Sequence, residues 1–149
     1  MEKFGSLKIN NMKQTIDNVV VGKFKSIEEE DGSLMPIEFK DLYSFFEPKR
    51  IFFIYGVEDQ NDRGKHAHYQ NKQLLICLGG QINVFVSDGE RMKKIILNEI
   101  GQYVYIPNMI WDEQMYMSKD TILCSICSAN YEPSDYIHDF KEYMDENER

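Results

Sequence analysis

Gln81-Ile82-Asn83-Val84-Phe85-Val86 alternates polar and apolar residues at its start, and Met92-Lys93-Lys94-Ile95-Ile96-Leu97 does so less regularly. A period of two is the mark of a strand with one wet face, because successive side chains point to opposite sides of the pleat. Between the two runs stands Asp88-Gly89, a pair that tolerates the positive φ of a tight hairpin turn. The stretch therefore reads as a hairpin. Further runs rich in Val, Ile, Phe and Tyr lie on either side, each bounded by a turn signal. They are Val19–Val21 before Gly22, Leu34–Phe39 after Asp31-Gly32, Arg50–Tyr55 before Gly56, His66–Leu78 before Gly79-Gly80, Gln102–Ile106 before Pro107, and Thr121–Ser128 near Asn130. Many short strands at close spacing predict an all-β antiparallel sandwich or barrel rather than βαβ units. One helix is predicted near the C-terminus. Ser134 is its expected N-cap, Asp135 lies in its first turn, and Ile137, Phe140 and Met144 recur at helical spacing. Asp41–Phe46 fits a single helical turn.

The chain has 149 residues, enough for one domain with its own core. That domain is expected over 16–149, after a polar lead-in at 1–15. With 42% hydrophobic and 28% charged residues, the composition is that of a globular protein rather than a disordered one. A net charge of −8 argues against a nucleic-acid partner, since phosphate binding needs clustered positive charge. Apolar runs such as Ile51–Ile54 are far too short to span a membrane. The opening residues MEKFGSLKINNMKQ contain no apolar signal core, and three cysteines are an odd number for a disulfide framework. A cytoplasmic location with reduced thiols is expected.

The chemistry concentrates in Arg63-Gly64-Lys65-His66-Ala67-His68, which holds two of the three histidines. On a strand, His66 and His68 project from the same face. Such a pair suits metal binding or proton transfer near neutral pH, the alternative being two partly exposed surface histidines. A metal site would need further ligands. Gln73, five residues after His68, is a poor one, and no histidine follows on the later strands, so no bound metal is expected. Cys124-Ser125-Ile126-Cys127 is a lone pair on a strand-like run and reads as buried small hydrophobes. Tyr103 and Tyr105 share a face and are candidates to line a pocket.

Taken together, these segments resemble a known family. Gly64-x-His66-x-His68 with Gly80, and Gly101 with Pro107, resemble the two cupin motifs. In metal-binding cupins a Glu follows the first histidines and a His closes the second motif; here Gln73 and Asp112 stand at or near those places. The match is closer to the WxcM-like sugar-nucleotide 3,4-ketoisomerases, through Asp31-Gly32-Ser33-Leu34, Lys49–Ile54, Arg63–His68, Gln73–Leu78 with Gly80, Gly101-x-Tyr103-x-x-Ile106-Pro107-x-Met109-x-Trp111, and Ser134-Asp135-Tyr136-Ile137. The chain departs from that family at His138, where members carry Arg, and around Phe52, where they carry Tyr.

The resemblance implies a cupin-type jelly roll with a short C-terminal helix, in a homodimer that exchanges N-terminal strands. It implies a dTDP-linked 4-keto-6-deoxy sugar as substrate, with its ketone moved from C4 to C3 through an enediol and with no cofactor. His66 and His68 are then the catalytic pair, with His68 as base and His66 as relay, or the reverse. Arg63, and with less support Arg50, would hold the diphosphate, and Gln73, Tyr103 and Trp111 would complete the substrate pocket. A sugar-nucleotide 3- or 3,5-epimerase and a non-catalytic nucleotide-sugar-binding cupin are the alternatives. The sequence leaves open the C4 configuration of the product.

Overall fold

A computed structural model describes residues 16–148; the polar lead-in expected at 1–15 lies outside them. Two five-stranded antiparallel sheets face each other. One has the order β1 (Val20–Lys23), β9 (Gln102–Ile106), β6 (Gln73–Gly79), β11 (Ile122–Cys127), β4 (Arg50–Ile54). The other runs β12 (Tyr136–Ile137), β5 (Asp62–His68), β10 (Trp111–Tyr116), β7 (Ile82–Ser87), β8 (Met92–Leu97). Successive strands from β4 to β7 switch sheets, as do those from β8 to β12. That is the jelly-roll path expected of the cupin type. A separate hairpin joins β2 (Ile27–Glu29) to β3 (Gly32–Leu34). Among the described residues no helix is long and apolar enough to cross a membrane.

The hairpin expected around Asp88-Gly89 is β7–β8, paired from Ile82↔Leu97 to Ser87↔Met92. Its inward residues Ile82, Val84, Val86, Ile95 and Leu97 meet Leu75, Cys77, Val104, Ile106 and Leu123 from the facing sheet. Each such aliphatic side chain contributes on the order of 1.5–3 kcal/mol by leaving water. A second cluster lies on the outer face of the first sheet. There Leu74, Ile76, Tyr105, Cys124 and Ile126 are covered by Leu42 of the short helix α1 (Phe39–Leu42) and by Phe46 just beyond it.

Three expectations change. Leu34–Phe39 is not a strand: β3 stops at Leu34, Pro36 has no amide to donate to a ladder, and α1 begins at Phe39. His66–Leu78 is two strands in different sheets, divided by a turn at residues 69–72. The C-terminal helix does not start at Ser134. Pro133–Asp135 is one 3-10 turn and Tyr136–Ile137 is β12. Only then does α2 (Phe140–Asn147) begin, with the Asp139 side chain accepting from the Lys141 amide as its cap. Pairing to β5 wins at Ile137 because it buries that side chain completely opposite Ala67.

Candidate active site

Strand β5 enters the site through a bulge. Asp112 pairs with His66 and Glu113 with Gly64, so Lys65 has no opposite number on β10. Gly64 (φ 82°) and Lys65 (φ 58°) both lie in the left-handed region. A Cβ on Gly64 would sit 3.0 Å from Asp112 Oδ1, so glycine is required there both by φ and by space. Beyond the bulge His66 and His68 point inward together, ring centroids 4.8 Å apart and nearly perpendicular. Ala67 turns outward and is fully buried beneath α2 with Trp111, Ile137 and Tyr143.

The two histidines are held very differently. His68 is only 6% exposed, and both its nitrogens are engaged. Nδ1 lies 3.2 Å from Asp135 Oδ2, and Nε2 lies 3.0 Å from the Gln73 side-chain nitrogen. The amide can only donate, so Nε2 accepts and Nδ1 carries the proton toward the carboxylate. Burial, reinforced by His66 and opposed by Asp135, lowers the pKa of His68 to about 4. Asp135 also accepts from the backbone amides of Gln70 and Asn71, so one carboxylate fixes both the imidazole and the turn that follows it. His66 has no such partner: its Nε2 is sealed from solvent and unbonded.

Tyr136 and His138 close over the pair. The Tyr136 ring lies 4.4 Å from His68 and 5.1 Å from His66, and His138 stacks on it at 5.3 Å with an 8° tilt. Arg50, on β4 across the sandwich, hydrogen-bonds Tyr136 and Cys127, and its guanidinium lies over the rings of Phe52 and Tyr131. Arg63 is exposed and pairs with Gln114, placing it on the inward face at the rim. The interior below is polar on β10. The Tyr116 hydroxyl donates to Gln114 Oε1 at 2.8 Å, and burial pushes that phenol up despite the nearby Arg63. Asp112 is 2% exposed, its Oδ1 has no partner, and burial raises its carboxyl above the usual range against the opposing influence of His66.

Of the residues picked from sequence, His66, His68, Gln73, Arg50 and Arg63 converge on this end of the sandwich. Tyr103 and Trp111 do not. Val104 points into the core, so Tyr103 points outward, over Gly22 and against Phe24 and Phe45. Trp111 packs on Phe140 and Tyr143 behind the second sheet, because its neighbour Asp112 takes the inward position. Asp135, Tyr136, His138 and Asp112 were missed as site residues. The signal for Asp112 was Asp112-x-Gln114-x-Tyr116, an alternation whose inward members are polar. Among the described residues no three His, Cys, Asp or Glu side chains converge as metal ligands would.

The FdtA family model, described as WxcM-like, C-terminal, matches residues 17–148. The chain belongs to this WxcM-like family. A TDP-4-oxo-6-deoxy-alpha-D-glucose-3,4-oxoisomerase of Aneurinibacillus thermoaerophilus is 32% identical over 132 residues, 87% of this chain and 94% of that protein. The sugar 3,4-ketoisomerase QdtA of Thermoanaerobacterium thermosaccharolyticum, solved with TDP, is 33% identical with a TM-score of 0.83, covering 89% of this chain and 96% of its own. A His-to-Asn variant of QdtA has been solved with TDP-4-keto-6-deoxyglucose. WlaRA, a TDP-fucose-3,4-ketoisomerase of Campylobacter jejuni, is 35% identical with a TM-score of 0.78, covering 87% of this chain and 96% of its own. This WxcM-like chain thus shares its fold with these enzymes.

Proposed function

We infer that the protein is a sugar-nucleotide 3,4-ketoisomerase acting on a TDP-linked 4-keto-6-deoxy sugar. Moving the ketone from C4 to C3 requires a base for the C3 proton, an enediol held away from water, and return of a proton to C4. The observation that carries the assignment of roles is the contrast between the histidines. His68 is neutral, with both nitrogens committed to Asp135 and Gln73, so it positions. His66 Nε2 has no hydrogen-bond partner, and on this reading it takes the role of base, one of the two orders that the sequence leaves open. Tyr136 and His138 form the wall against which the sugar rests, and Arg63 at the rim takes the diphosphate in its planar fork. Arg50 is already bonded to Tyr136 and Cys127 and orders that wall.

Complexes of QdtA with TDP and with TDP-4-keto-6-deoxyglucose support the choice of ligand. The reaction needs no metal on this reading, so EDTA leaves turnover unchanged; a loss restored by added Zn²⁺ or Mn²⁺ would refute that. We also take the working unit to be a cytoplasmic homodimer. Ile51, Phe53 and Tyr55, on or just past edge strand β4, are 52%, 53% and 74% exposed on one face, an apolar stripe suited to a second copy. Sedimentation equilibrium at twice the chain mass is the expected result.

The deciding experiment is ¹H NMR of TDP-4-keto-6-deoxyglucose with the protein in D₂O. A new 3-keto species with hydrogen or deuterium delivered to C4 supports the reading. Exchange at C3 or C5 with the ketone still at C4 would instead indicate an epimerase.

A further inference from the structure

Resting on the ketoisomerase reading, we propose that Tyr143, behind the second sheet and out of reach of the sugar, is a positioning residue for the reaction: its hydroxyl fixes the turn that holds the backbone of His68. Either order of the two histidines is compatible with this role, because the tie is to the main chain of β5.

Tyr143 is fully buried on α2. Its Oη lies 2.9 Å from Met109 O and 3.0 Å from Ser87 O, so one proton is shared between the turn at residues 107–110 and the end of β7. Within that turn the Met109 amide donates to His68 O at 2.8 Å, and Asn108 Nδ2 donates to Tyr69 O at 2.9 Å. Two consecutive carbonyls at the end of β5 are stitched to it in this way. The other edge of β5 is held by β12, where Tyr136 pairs with His68 and the Tyr69 amide donates to Asp135 O at 2.9 Å. The peptide that follows His68 is thus held at both its oxygen and its nitrogen. The imidazole has little slack to absorb a shift of that peptide, because Nδ1 and Nε2 sit 3.2 Å from Asp135 and 3.0 Å from Gln73, and hydrogen bonds weaken steeply with misalignment.

Packing alone does not account for the hydroxyl. A phenylalanine at 143 would fill the same space against Trp111 and Phe140, whose rings lie 5.7 and 5.8 Å away. What the hydroxyl adds is the tie to Met109. That residue stands at φ 61°, a left-handed conformation that is costly for a side chain with a Cβ and persists where partners impose it. The partners are the two bonds just described, His68 O on its amide and Tyr143 Oη on its carbonyl. Burial pushes the Tyr143 phenol up to about 12, so the donor keeps its proton at neutral pH. The helix is anchored at its far end as well. Asn147 Nδ2 donates to Asp88 O, and Gly89 leaves free the space where a Cβ would press on that amide. Helix α2 therefore bears on the histidine strand twice, through Tyr143 on the turn and through its packing on Ala67, the residue between the two histidines.

The test compares Tyr143→Phe with Phe140→Leu, which loosens the same helix without touching the hydroxyl. Steady-state kinetics, a thermal melt and ¹H–¹⁵N NMR of the His68 ring are read on each full-length protein. Tyr143→Phe should lower kcat by about 10-fold with KM within about twofold, less than the roughly 100-fold that a misplacement of about 1 Å can cost. It should also shift the His68 Nδ1–H signal and speed its exchange with water. Phe140→Leu should lower the melting temperature yet leave kcat per folded molecule and the ring signal as in wild type.

An unchanged ring signal in folded Tyr143→Phe, or an unchanged kcat, would overturn the proposal. So would the same changes in Phe140→Leu, since general loosening of α2 would then explain them. If Tyr143→Phe does not fold, amide hydrogen exchange in wild type decides. The Met109 amide should be at least as well protected as the Tyr143 amide, which donates to Asp139 O in α2. Weaker protection at Met109 would mean that the turn opens while the helix stays docked, and would overturn the proposal. A ring signal that shifts in Tyr143→Phe, when wild type does not turn over the keto sugar, would uphold the tie to His68 and refute the ketoisomerase reading.

Discussion

The two ends of the sandwich interior obey opposite rules. At the β7–β8 flank the buried inward side chains are all aliphatic: Ile82, Val84, Val86, Ile95 and Leu97. At the β5–β12 mouth the same layer holds His68, Gln73, Asp112, Gln114 and Ser125, all buried. The change happens within single strands. β6 runs inward from Gln73 to Leu75 to Cys77, and β11 from Cys127 and Ser125 to Leu123. One end supplies non-directional burial. The other consumes part of that stability to hold polar groups in fixed geometry, with Arg50 Nε, His66 Nε2 and Asp112 Oδ1 among the buried atoms that have no hydrogen-bond partner. The comparison teaches that stability and chemistry are spatially separable here, and mutations should separate them too.

The largest expected effect is on chemistry alone. His66→Asn should lower kcat by about 10³-fold, within the range typical of losing a general base, while the melting temperature barely moves. Steady-state kinetics beside a thermal melt checks this. Substantial turnover in a folded variant would place the base elsewhere. The mirror experiment is Leu97→Ala at the far flank. Its side chain is fully buried, so unfolding free energy should fall by about 2–5 kcal/mol with kcat per folded molecule unchanged. A matching fall in kcat would mean that the two ends are mechanically coupled.

A third effect follows from the burial of His68. His68 in the folded chain sits at about 4, against an ordinary value near 6.5. The unfolded chain therefore binds a proton across that window and the folded one does not. Stability should be full above about 6.5 and fall as pH drops toward 4, by an amount on the order of 3 kcal/mol. Urea unfolding at several pH values measures the slope, and His68→Asn should flatten it. An unchanged slope in that variant would assign the acid sensitivity to another group.

How far the sequence carried differs between these two ends. The apolar flank was legible because Gln81–Val86 and Met92–Leu97 alternate against water, and Asp88-Gly89 marks the turn between them. The histidine pair was legible too, since i and i+2 share a face whatever the neighbours are. Strand β10 was not. Trp111-Asp112-Glu113-Gln114-Met115-Tyr116 places polar Asp112 and Gln114 inward and Trp111 outward beneath α2, so its polarity is inverted relative to an ordinary half-buried strand. The partner of His68 was hidden for another reason. Asp135 lies 67 residues away and looks locally like a helix start; only the β12–β5 pairing brings it to the imidazole. Long-range pairing and buried polarity are the two features that local patterning does not encode.

The smallest expected effect sharpens the comparison at its boundary. Tyr103 looked like a pocket residue because it precedes Pro107 on an aromatic strand, yet its ring packs against Phe24 at 4.8 Å on the outer face of the first sheet. Tyr103→Phe keeps that packing and removes only a hydroxyl, so kcat and KM should both stay within about twofold of wild type, and stability within about 1 kcal/mol. Tyr136→Phe, which alters the hydroxyl that Arg50 contacts beside both histidines, should by contrast change KM or kcat measurably. If Tyr103→Phe were the more damaging of the two, the outer face of the first sheet would have to reach the substrate, for instance by contributing to a site completed by a second copy of the chain.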